Sequence, residues 1–101
     1  LGPAKGKDFA SVLGPVVVTC DELADRRVGP GRYDLTMVAR KNGREISRGN
    51  MKDLYFDFTQ MIARASQDAP LFPGDVIGSG TVGTGCILEW GPEKTGGWLE
   101  P

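Results

Sequence analysis

Glycine and proline divide this chain into short pieces, and no other feature constrains its fold as strongly. The 101 residues include fifteen glycines and seven prolines. Glycine adopts backbone conformations that other residues avoid, and proline interrupts both helices and sheet ladders. We therefore expect many turns between short elements. A chain of this size buries roughly 60 to 65% of its unfolded surface, so the sequence predicts one domain, residues 1–101, around one modest core.

The first half of the chain contains three strand-like segments. Residues 16–19 are mostly β-branched and apolar, which is typical of a buried strand. Residues 33–40 alternate with a period of two, which predicts a strand with one face inward. The pair Asn42-Gly43 follows and favours a type I′ hairpin turn, because both positions of that turn need positive φ. Residues 44–47 then form the returning strand.

One amphipathic helix is expected after the hairpin. Asn50 is a good N-cap, and Asp53 complements the free amide groups and the dipole of the first turn. The apolar residues that follow at helical spacing are Met51, Leu54, Tyr55, Phe58, Met61, Ile62 and Ala65. Their stripe predicts a helix of about four turns. This helix spans residues 50–66 and ends before Pro70.

The last third of the chain contains turn signals and two short strand-like runs. Proline presets φ and glycine tolerates positive φ, so Pro73-Gly74 predicts a type II turn. Residues 76–77 are expected to begin a strand, and residues 86–90 to form another. A loop rich in glycine and proline follows.

Charge and residue types exclude several functions. The formal net charge is −1, so nothing indicates binding to nucleic acid or to an anionic membrane. The chain has no histidine, which excludes a self-contained Ser-His-Asp or Cys-His site and a histidine-based zinc site. Cys20 and Cys86 fit neither a metal-ligand spacing nor a disulfide framework, and we expect reduced thiols in or near the core of a cytosolic protein. The sequence has neither an apolar run of about 18 residues for a membrane span nor a signal-peptide pattern.

The segment Gly78-Ser79-Gly80-Thr81-Val82-Gly83 matches the pattern G-x-G-x-x-G. In dinucleotide-binding loops a helix follows this pattern and meets the pyrophosphate. The residues that follow here are strand-like, which argues against nucleotide binding. A glycine-rich connection between strands is one alternative. The other is a loop whose backbone amides approach an anion, with the Thr81 hydroxyl as a further donor, so that it can hold a substrate carboxylate.

Two segments flank the hairpin and the helix. They are Gly6-Lys7-Asp8-Phe9-Ala10-Ser11 and Phe72-Pro73-Gly74-Asp75-Val76-Ile77-Gly78-Ser79-Gly80-Thr81. In this order, the first segment, the hairpin, the helix and the second segment together resemble the C-terminal half of the fumarylacetoacetate hydrolase family. The resemblance covers nearly the whole chain. It implies a mainly β fold with one α-helix, a mixed β-sandwich roll, in which the chain is the C-terminal part of a catalytic domain.

The resemblance also implies roles for five residues. Lys7, by itself only a solvated charge, matches a lysine beside the metal and its water, where an ammonium offsets carboxylate charge and stabilises an enolate. Ser11 matches a hydroxyl that supports the metal's water shell. Gly80 and Thr81 match a Gly-Thr step that lines the active site, where the threonine contacts substrate. Glu89 would by alternation alone face solvent, but it matches a glutamate that activates water together with a histidine from a distant loop.

In the family, the metal ligands are a Glu-x-Glu pair and an aspartate that precede the segment containing Lys7. We therefore expect no metal ligand within this chain, and expect the chain to be part of a longer protein. The implied cofactor is Mg²⁺, Ca²⁺ or Mn²⁺, bound upstream. The implied protein is a cytoplasmic homodimer that acts on a small keto acid and binds neither nucleic acid nor membrane.

The activity that the resemblance implies for the parent protein is metal-dependent hydrolysis of a carbon–carbon bond in acylpyruvate-like acids, which are 2,4-dioxo acids. The isolated chain is expected to be inactive, because hard divalent cations need several carboxylate oxygens. Decarboxylase, hydratase or isomerase activity of the same family is an alternative. A non-catalytic module that binds a small acid or serves in assembly is another.

Overall fold

The computed structural model describes residues 10–100, which form short elements in two small antiparallel sheets and two α-helices. The strands are β1 (Arg27–Gly29), β2 (Arg32–Tyr33), β3 (Thr36–Lys41) and β4 (Arg44–Asn50), and the helices are α1 (Phe58–Ala65) and α2 (Ile87–Thr95). Single 3₁₀ turns precede β1, at Ala24–Arg26, and follow β4, at Met51–Asp53. β1 pairs with β2, and β3 pairs with β4. The expectation of a single helix was therefore wrong.

The β3–β4 hairpin confirms the prediction made from Asn42-Gly43. Both residues have positive φ, 50° and 79°, as the type I′ turn requires. The pairing runs from Lys41 opposite Arg44 to Thr36 opposite Asn50, and its register shifts by one residue between Ala39 and Arg40. The shift is a β-bulge on β4, which leaves Ile46 without a partner on β3.

The helix expected over residues 50–66 is only half as long. Asn50 does act as an N-cap, accepting a hydrogen bond from the Lys52 N–H at 2.9 Å, but it caps the 3₁₀ turn. Leu54 then takes an extended conformation with ψ of 134°. A new helix starts only after Asp57, whose side chain forms a capping box with Gln60.

The β1–β2 hairpin explains this break. The Arg32 guanidinium donates to the carbonyl of Lys52 at 2.8 Å and to that of Tyr55 at 3.3 Å. A continuous helix would use both carbonyls for its own N–H groups. Gly31, with φ of 56°, sits against the start of α1, where a Cβ atom would lie 2.8 Å from the Thr59 nitrogen. A tertiary contact therefore overrides the helical pattern.

Three strand predictions were also wrong. Residues 16–19 and 76–77 form no strand, and residues 86–90 contribute to α2 instead. β-branched residues favour strands only where a partner strand completes the ladder, and none pairs with these segments within residues 10–100. A helix, not a strand, therefore follows the glycine-rich segment of residues 78–83, but no strand precedes that segment, so the βαβ context of nucleotide binding is missing from the described part of the chain.

Glycines with positive φ occur in the turn at Pro73-Gly74 and inside helix α2. The predicted turn at Pro73-Gly74 is confirmed, since Gly74 has φ of 102° and the Asp75 N–H donates to the Phe72 carbonyl at 3.0 Å. Helix α2 is kinked at Gly91, where φ is 74° and ψ is 168°. Pro92 accounts for the kink, because the residue before a proline avoids helical geometry.

The described residues lack the expected apolar core. Within residues 10–100 no apolar side chain is buried, and the buried residues are Ser47 and Thr95, 6% and 2% exposed. The accessible surface is 8416 Å², whereas a compact monomer of 10.8 kDa exposes about 5500 Å². Both cysteines are free, but Cys20 is exposed, so the expectation of a core thiol was wrong there. No helix of residues 10–100 is both long and apolar enough to cross a membrane.

Polar contacts hold the elements in place instead. The Lys41 ammonium, at the end of β3, donates to the carbonyls of Gly96, Gly97 and Trp98 at 2.9, 2.8 and 2.9 Å. These carbonyls lie at the end of α2, where Gly96 forms a left-handed C-cap and the helix dipole favours a cation. Lys41 therefore fixes α2 to the hairpin.

We predict that Lys41→Met lowers the free energy of unfolding by about 1 to 2 kcal/mol, because three charge-assisted hydrogen bonds are lost at a partly exposed site. Urea unfolding of the full-length variant measures the change. The matched control is Arg40→Met, on the neighbouring exposed position. Equal unfolding midpoints for the two variants would contradict the role of Lys41.

Candidate functional site

A cavity of about 470 Å³ opens at the end of β4, next to the glycine-rich segment of residues 78–83. Three parts of the chain form its wall: the end of β4, the 3₁₀ turn with the residues after it, and residues 81–83. The lining residues are Arg48, Gly49, Asn50, Asp53, Leu54, Tyr55, Thr81, Val82 and Gly83. The volume is within the range of small-molecule sites, about 300 to 1,000 Å³.

Residues 81–85 form a tight turn that carries Thr81 into this wall. The Gly85 N–H donates to the Val82 carbonyl at 2.7 Å. A Cβ atom on Gly85 would lie 2.8 Å from the Val82 oxygen and 3.0 Å from the Thr81 Cβ, so the turn requires glycine there. Thr84 has φ of 71°, which is unfavourable for a β-branched residue. Contacts outside the turn must therefore hold it in this conformation.

Three contacts seat this turn. Val82 packs on Gly49 of β4, where a Cβ atom would lie 2.9 Å from the Val82 Cβ. The Thr84 hydroxyl is 3.0 Å from the hydroxyl of the buried Ser47. The Glu89 carboxylate, from the first turn of α2, accepts a hydrogen bond from the Thr84 N–H. The turn is thus fixed on one side to the hairpin and on the other to α2.

An ionic cluster fixes the chain where it leaves β4. The Asp34 carboxylate accepts from the Asn50 amide at 2.6 Å and from the Lys52 ammonium at 3.0 Å. These hydrogen bonds, that from Lys52 first, lower the pKa of Asp34 from its ordinary value. The Asn50 side chain uses its oxygen for the Lys52 N–H and its nitrogen for Asp34, so it braces the wall instead of presenting a donor to a ligand.

Arg48 is the cation of the cavity wall. Its Nε and Nη2 atoms donate to the Glu45 carboxylate at 2.8 and 2.7 Å, which lowers the pKa of Glu45. This pairing orients the guanidinium and partly offsets its charge, while Nη1 carries further donors. Asp53 is the one carboxylate among the lining residues. The wall therefore combines a paired cation, one anion, hydroxyl groups and backbone amides.

The five residues singled out from the sequence lie at different places. Thr81 is in the cavity wall, and Gly80 directly precedes it with φ of 79°. Ser11 is exposed in an irregular segment. Glu89 is on α2, bonded to the turn and outside the cavity lining. Lys7 lies outside the described residues.

Sequence reasoning missed the other polar members of the wall. Arg48 and Asn50 stand two residues apart on β4, so strand periodicity could have placed them on one face. Asp53 and Tyr55 were assigned to a continuous helix, and Tyr55 therefore to the core. The Arg32 contacts that break this helix carry no local sequence signal.

The described residues do not fit a divalent metal ion. Within residues 10–100 no three His, Cys, Asp or Glu side chains come together as a metal site. Magnesium and calcium take about six to eight oxygen ligands, and a single carboxylate, Asp53, lines the cavity. The chemistry open to this wall is therefore binding and orientation of a small polar ligand through hydroxyl, amide and guanidinium donors.

Comparison with known proteins identifies the family of this chain. The family model for the fumarylacetoacetate (FAA) hydrolase C-terminal region matches residues 1–101. The chain belongs to the fumarylacetoacetate hydrolase family. A 2,4-didehydro-3-deoxy-L-rhamnonate hydrolase of Sphingomonas sp. (strain SKA58) is 34% identical over 106 residues, covering 91% of this chain and 35% of that protein. No solved structure gives a significant match.

Two further members of the fumarylacetoacetate hydrolase family are similar to the chain. Fumarylacetoacetase of Arabidopsis thaliana is 30% identical, covering 93% of this chain and 30% of that protein. The human mitochondrial oxaloacetate tautomerase FAHD2A is 37% identical, covering 75% of this chain and 23% of that protein. The chain therefore spans about a third or less of the length of these three relatives.

The ionic cluster gives a prediction for pH dependence. The folded-state pKa of Asp34 is lowered, so its contribution to stability is present above the unfolded-state pKa and is lost as the pH falls below 3.8 and through the folded-state value. We predict that the free energy of unfolding falls less steeply in Asp34→Asn than in the unmodified protein over this acid range. Urea unfolding at a series of pH values measures the two slopes. Equal slopes would show that Asp34 does not contribute.

The close approach of Gly49 and Val82 gives a second prediction. Gly49→Ala should lower the free energy of unfolding by about 1 to 3 kcal/mol, because the added methyl group overpacks against Val82. The double variant Gly49→Ala with Val82→Ala should recover part of this loss, since it removes the two opposing methyl groups but keeps the Val82 Cβ atom, 2.9 Å from the added methyl. Chemical unfolding of both variants provides the measurement.

The matched control is Gly78→Ala, where a Cβ atom would meet nothing within 4 Å. We expect it to change the free energy of unfolding by no more than about 0.5 kcal/mol. If the second substitution does not relieve the first, the turn is not seated on β4 as described.

Proposed function

We propose that this chain forms one wall of the active site of a metal-dependent hydrolase that cleaves a carbon–carbon bond in acylpyruvate-like acids. The observation that carries the proposal is the position of Thr81, the threonine of the family's Gly-Thr step, in the lining of a cavity with Arg48. Two relatives that are named for hydrolytic activity, a 2,4-didehydro-3-deoxy-L-rhamnonate hydrolase and a fumarylacetoacetase, support the class of reaction.

The wall is suited to the carboxylate end of a small keto acid. The Thr81 hydroxyl donates to a carboxylate oxygen, and the backbone amides of Val82 and Gly83 approach the same group, since those of Thr84 and Gly85 are bonded to Glu89 and Val82. Gly80 leaves room for this approach, because it has no side chain and adopts a φ of 79°. Arg48 attracts the anion into the cavity, and Asp53 disfavours a second negative group close to it. The residues of this wall thus orient the substrate.

The remaining parts of the reaction are assigned to other segments. The family resemblance gives Lys7 a role in stabilising an enolate, Ser11 a role near the metal's water shell and Glu89 a role in activating water, and these stay predictions. The Mg²⁺, Ca²⁺ or Mn²⁺ ion of the family would take its ligands from residues preceding Lys7, because residues 10–100 offer no adequate set. When bound, such an ion polarises the oxygens of a keto acid.

The larger architecture is part of the same proposal. In the whole protein, the two small sheets would belong to a mixed β-sandwich roll, and residues 1–101 to the C-terminal part of its catalytic domain. A cytoplasmic homodimer, with no nucleic-acid or membrane partner, is the form that the resemblance implies. A covering segment or subunit would also bury apolar residues that are exposed here, such as Tyr55, which is 87% exposed at the edge of the cavity.

One relative favours a second candidate function. The human relative is named an oxaloacetate tautomerase, and its similarity covers 75% of this chain. Tautomerisation of a keto acid and cleavage of an acylpyruvate share an enolate, so the same carboxylate-binding wall serves both. An isomerase acting on a small keto acid is therefore the alternative activity.

We predict that Thr81→Val lowers kcat/KM for acetylpyruvate by about tenfold to a hundredfold, because one hydrogen bond to the charged end of the substrate is lost. Thr81→Ser keeps the hydroxyl and should stay close to the unmodified enzyme. The full-length protein is assayed with Mg²⁺ by the loss of the dioxo-acid absorbance, and oxaloacetate is tested in parallel for tautomerisation.

The control is Thr36→Val, an exposed threonine of β3 outside the cavity lining. Turnover of oxaloacetate between its tautomers without cleavage of acetylpyruvate would favour the second candidate. Turnover that is unaffected by Thr81→Val would remove Thr81 from the site.

A further inference from the structure

We propose that Glu89 is a positioning residue, whose carboxylate holds the turn of residues 81–85 so that Thr81 faces the ligand in the cavity. The identity of the ligand rests on the proposed function, whereas the positioning role rests on the geometry of the turn. This role differs from the activation of water that the family resemblance implies for Glu89.

The turn is not stable by itself. Thr84 has φ of 71°, a left-handed conformation that is unfavourable for a β-branched residue. Within the turn, a single backbone hydrogen bond, from the Gly85 N–H to the Val82 carbonyl, opposes this cost. Groups outside the turn must therefore stabilise the conformation of Thr84.

Glu89 and Ser47 are those groups. The Glu89 carboxylate accepts the Thr84 N–H, and Ser47, only 6% exposed, meets the Thr84 hydroxyl at 3.0 Å. The backbone of Glu89 is itself fixed, since its N–H donates to the Cys86 carbonyl at 3.0 Å in the first turn of α2. Its side chain reaches back to an amide that precedes the helix, in the manner of the glutamate of a capping box.

A change at Thr84 is transmitted to Thr81 over a short path. A Cβ atom on Gly85 would lie 3.0 Å from the Thr81 Cβ, so the end of the turn lies close to its beginning. If the Thr84 N–H loses its acceptor and the turn relaxes, the Thr81 hydroxyl moves relative to β4, which carries the opposite wall. The binding of substrate should then suffer more than the chemical step.

This role requires an acceptor atom at residue 89, but neither a charge nor a basic group. Glutamine keeps an acceptor oxygen at the same reach and cannot act as a general base, whereas leucine has no acceptor. Comparison of Glu89→Gln with Glu89→Leu therefore separates positioning from base catalysis. Glu93, an exposed glutamate on the second turn of α2, offers matched controls in Glu93→Gln and Glu93→Leu.

The experiment uses the full-length protein and two kinds of measurement. Hydrogen exchange of the Thr84 amide, followed by NMR, reports on the turn without reference to activity. Oxalate affinity by calorimetry, with KM and kcat for acetylpyruvate, reports on the site. For Glu89→Gln we expect slow exchange and a Kd for oxalate within about threefold of that of the unmodified enzyme, because the acceptor is kept.

For Glu89→Leu we expect exchange of the Thr84 amide to accelerate by about tenfold or more, because a hydrogen bond to a charged acceptor is lost. The Kd for oxalate and the KM should rise by about tenfold relative to Glu89→Gln, since loss of the acceptor weakens the binding wall. Neither Glu93 variant should change any of these quantities.

Two results would overturn the proposal. One is an unchanged Kd for oxalate in Glu89→Leu although the exchange of the Thr84 amide accelerates, because the turn would then not control the ligand site. The other is unchanged exchange of the Thr84 amide in Glu89→Leu. If the unmodified protein neither binds oxalate nor consumes acetylpyruvate, the proposed function fails, and the exchange measurements still decide whether Glu89 holds the turn.

Discussion

The contact between β4 and the turn of residues 81–85 is the constraint on which the candidate site depends. Gly49 allows the turn to approach the strand closely, because any side chain there would meet Val82 at 2.9 Å. The hydrogen bond between Ser47 and Thr84 fixes the register of this approach. Without the contact, Thr81 and Arg48 would not share a cavity wall, and the Gly-Thr step would be an isolated loop.

Polar contacts, more than apolar burial, hold the described elements together. Lys41 joins the hairpin to α2, Arg32 joins the first sheet to the segment after β4, and Asp34 joins Asn50 to Lys52. The contacts of Lys41 and of Arg32 each contribute on the order of 1 kcal/mol. Several apolar side chains, including Tyr55, remain exposed. The geometry of residues 10–100 therefore rests on a small number of specific hydrogen bonds, and single substitutions are expected to have measurable effects.

Local sequence predicted the elements whose conformation is set within a few residues. The hairpin at Asn42-Gly43 formed as expected, because positive φ at two successive positions leaves few alternatives. The turn at Pro73-Gly74 formed for the same kind of reason. The helix expected over residues 50–66 formed only in its second half. The Arg32 guanidinium, twenty or more residues earlier in the chain, binds the carbonyls of Lys52 and Tyr55 that the first half would have used. Such a contact leaves no trace in the periodicity of the helix.

The sequence by itself determined the turns, the family and the Gly80-Thr81 step, because glycine, proline and short motifs act through local backbone geometry. Only the tertiary structure decided that residues 86–90 are helical, that Arg48 and Thr81 line one cavity, and that the Glu89 carboxylate meets the Thr84 amide. These outcomes depend on which distant groups satisfy one another's hydrogen bonds. That pairing is a property of the folded chain, and no single segment encodes it.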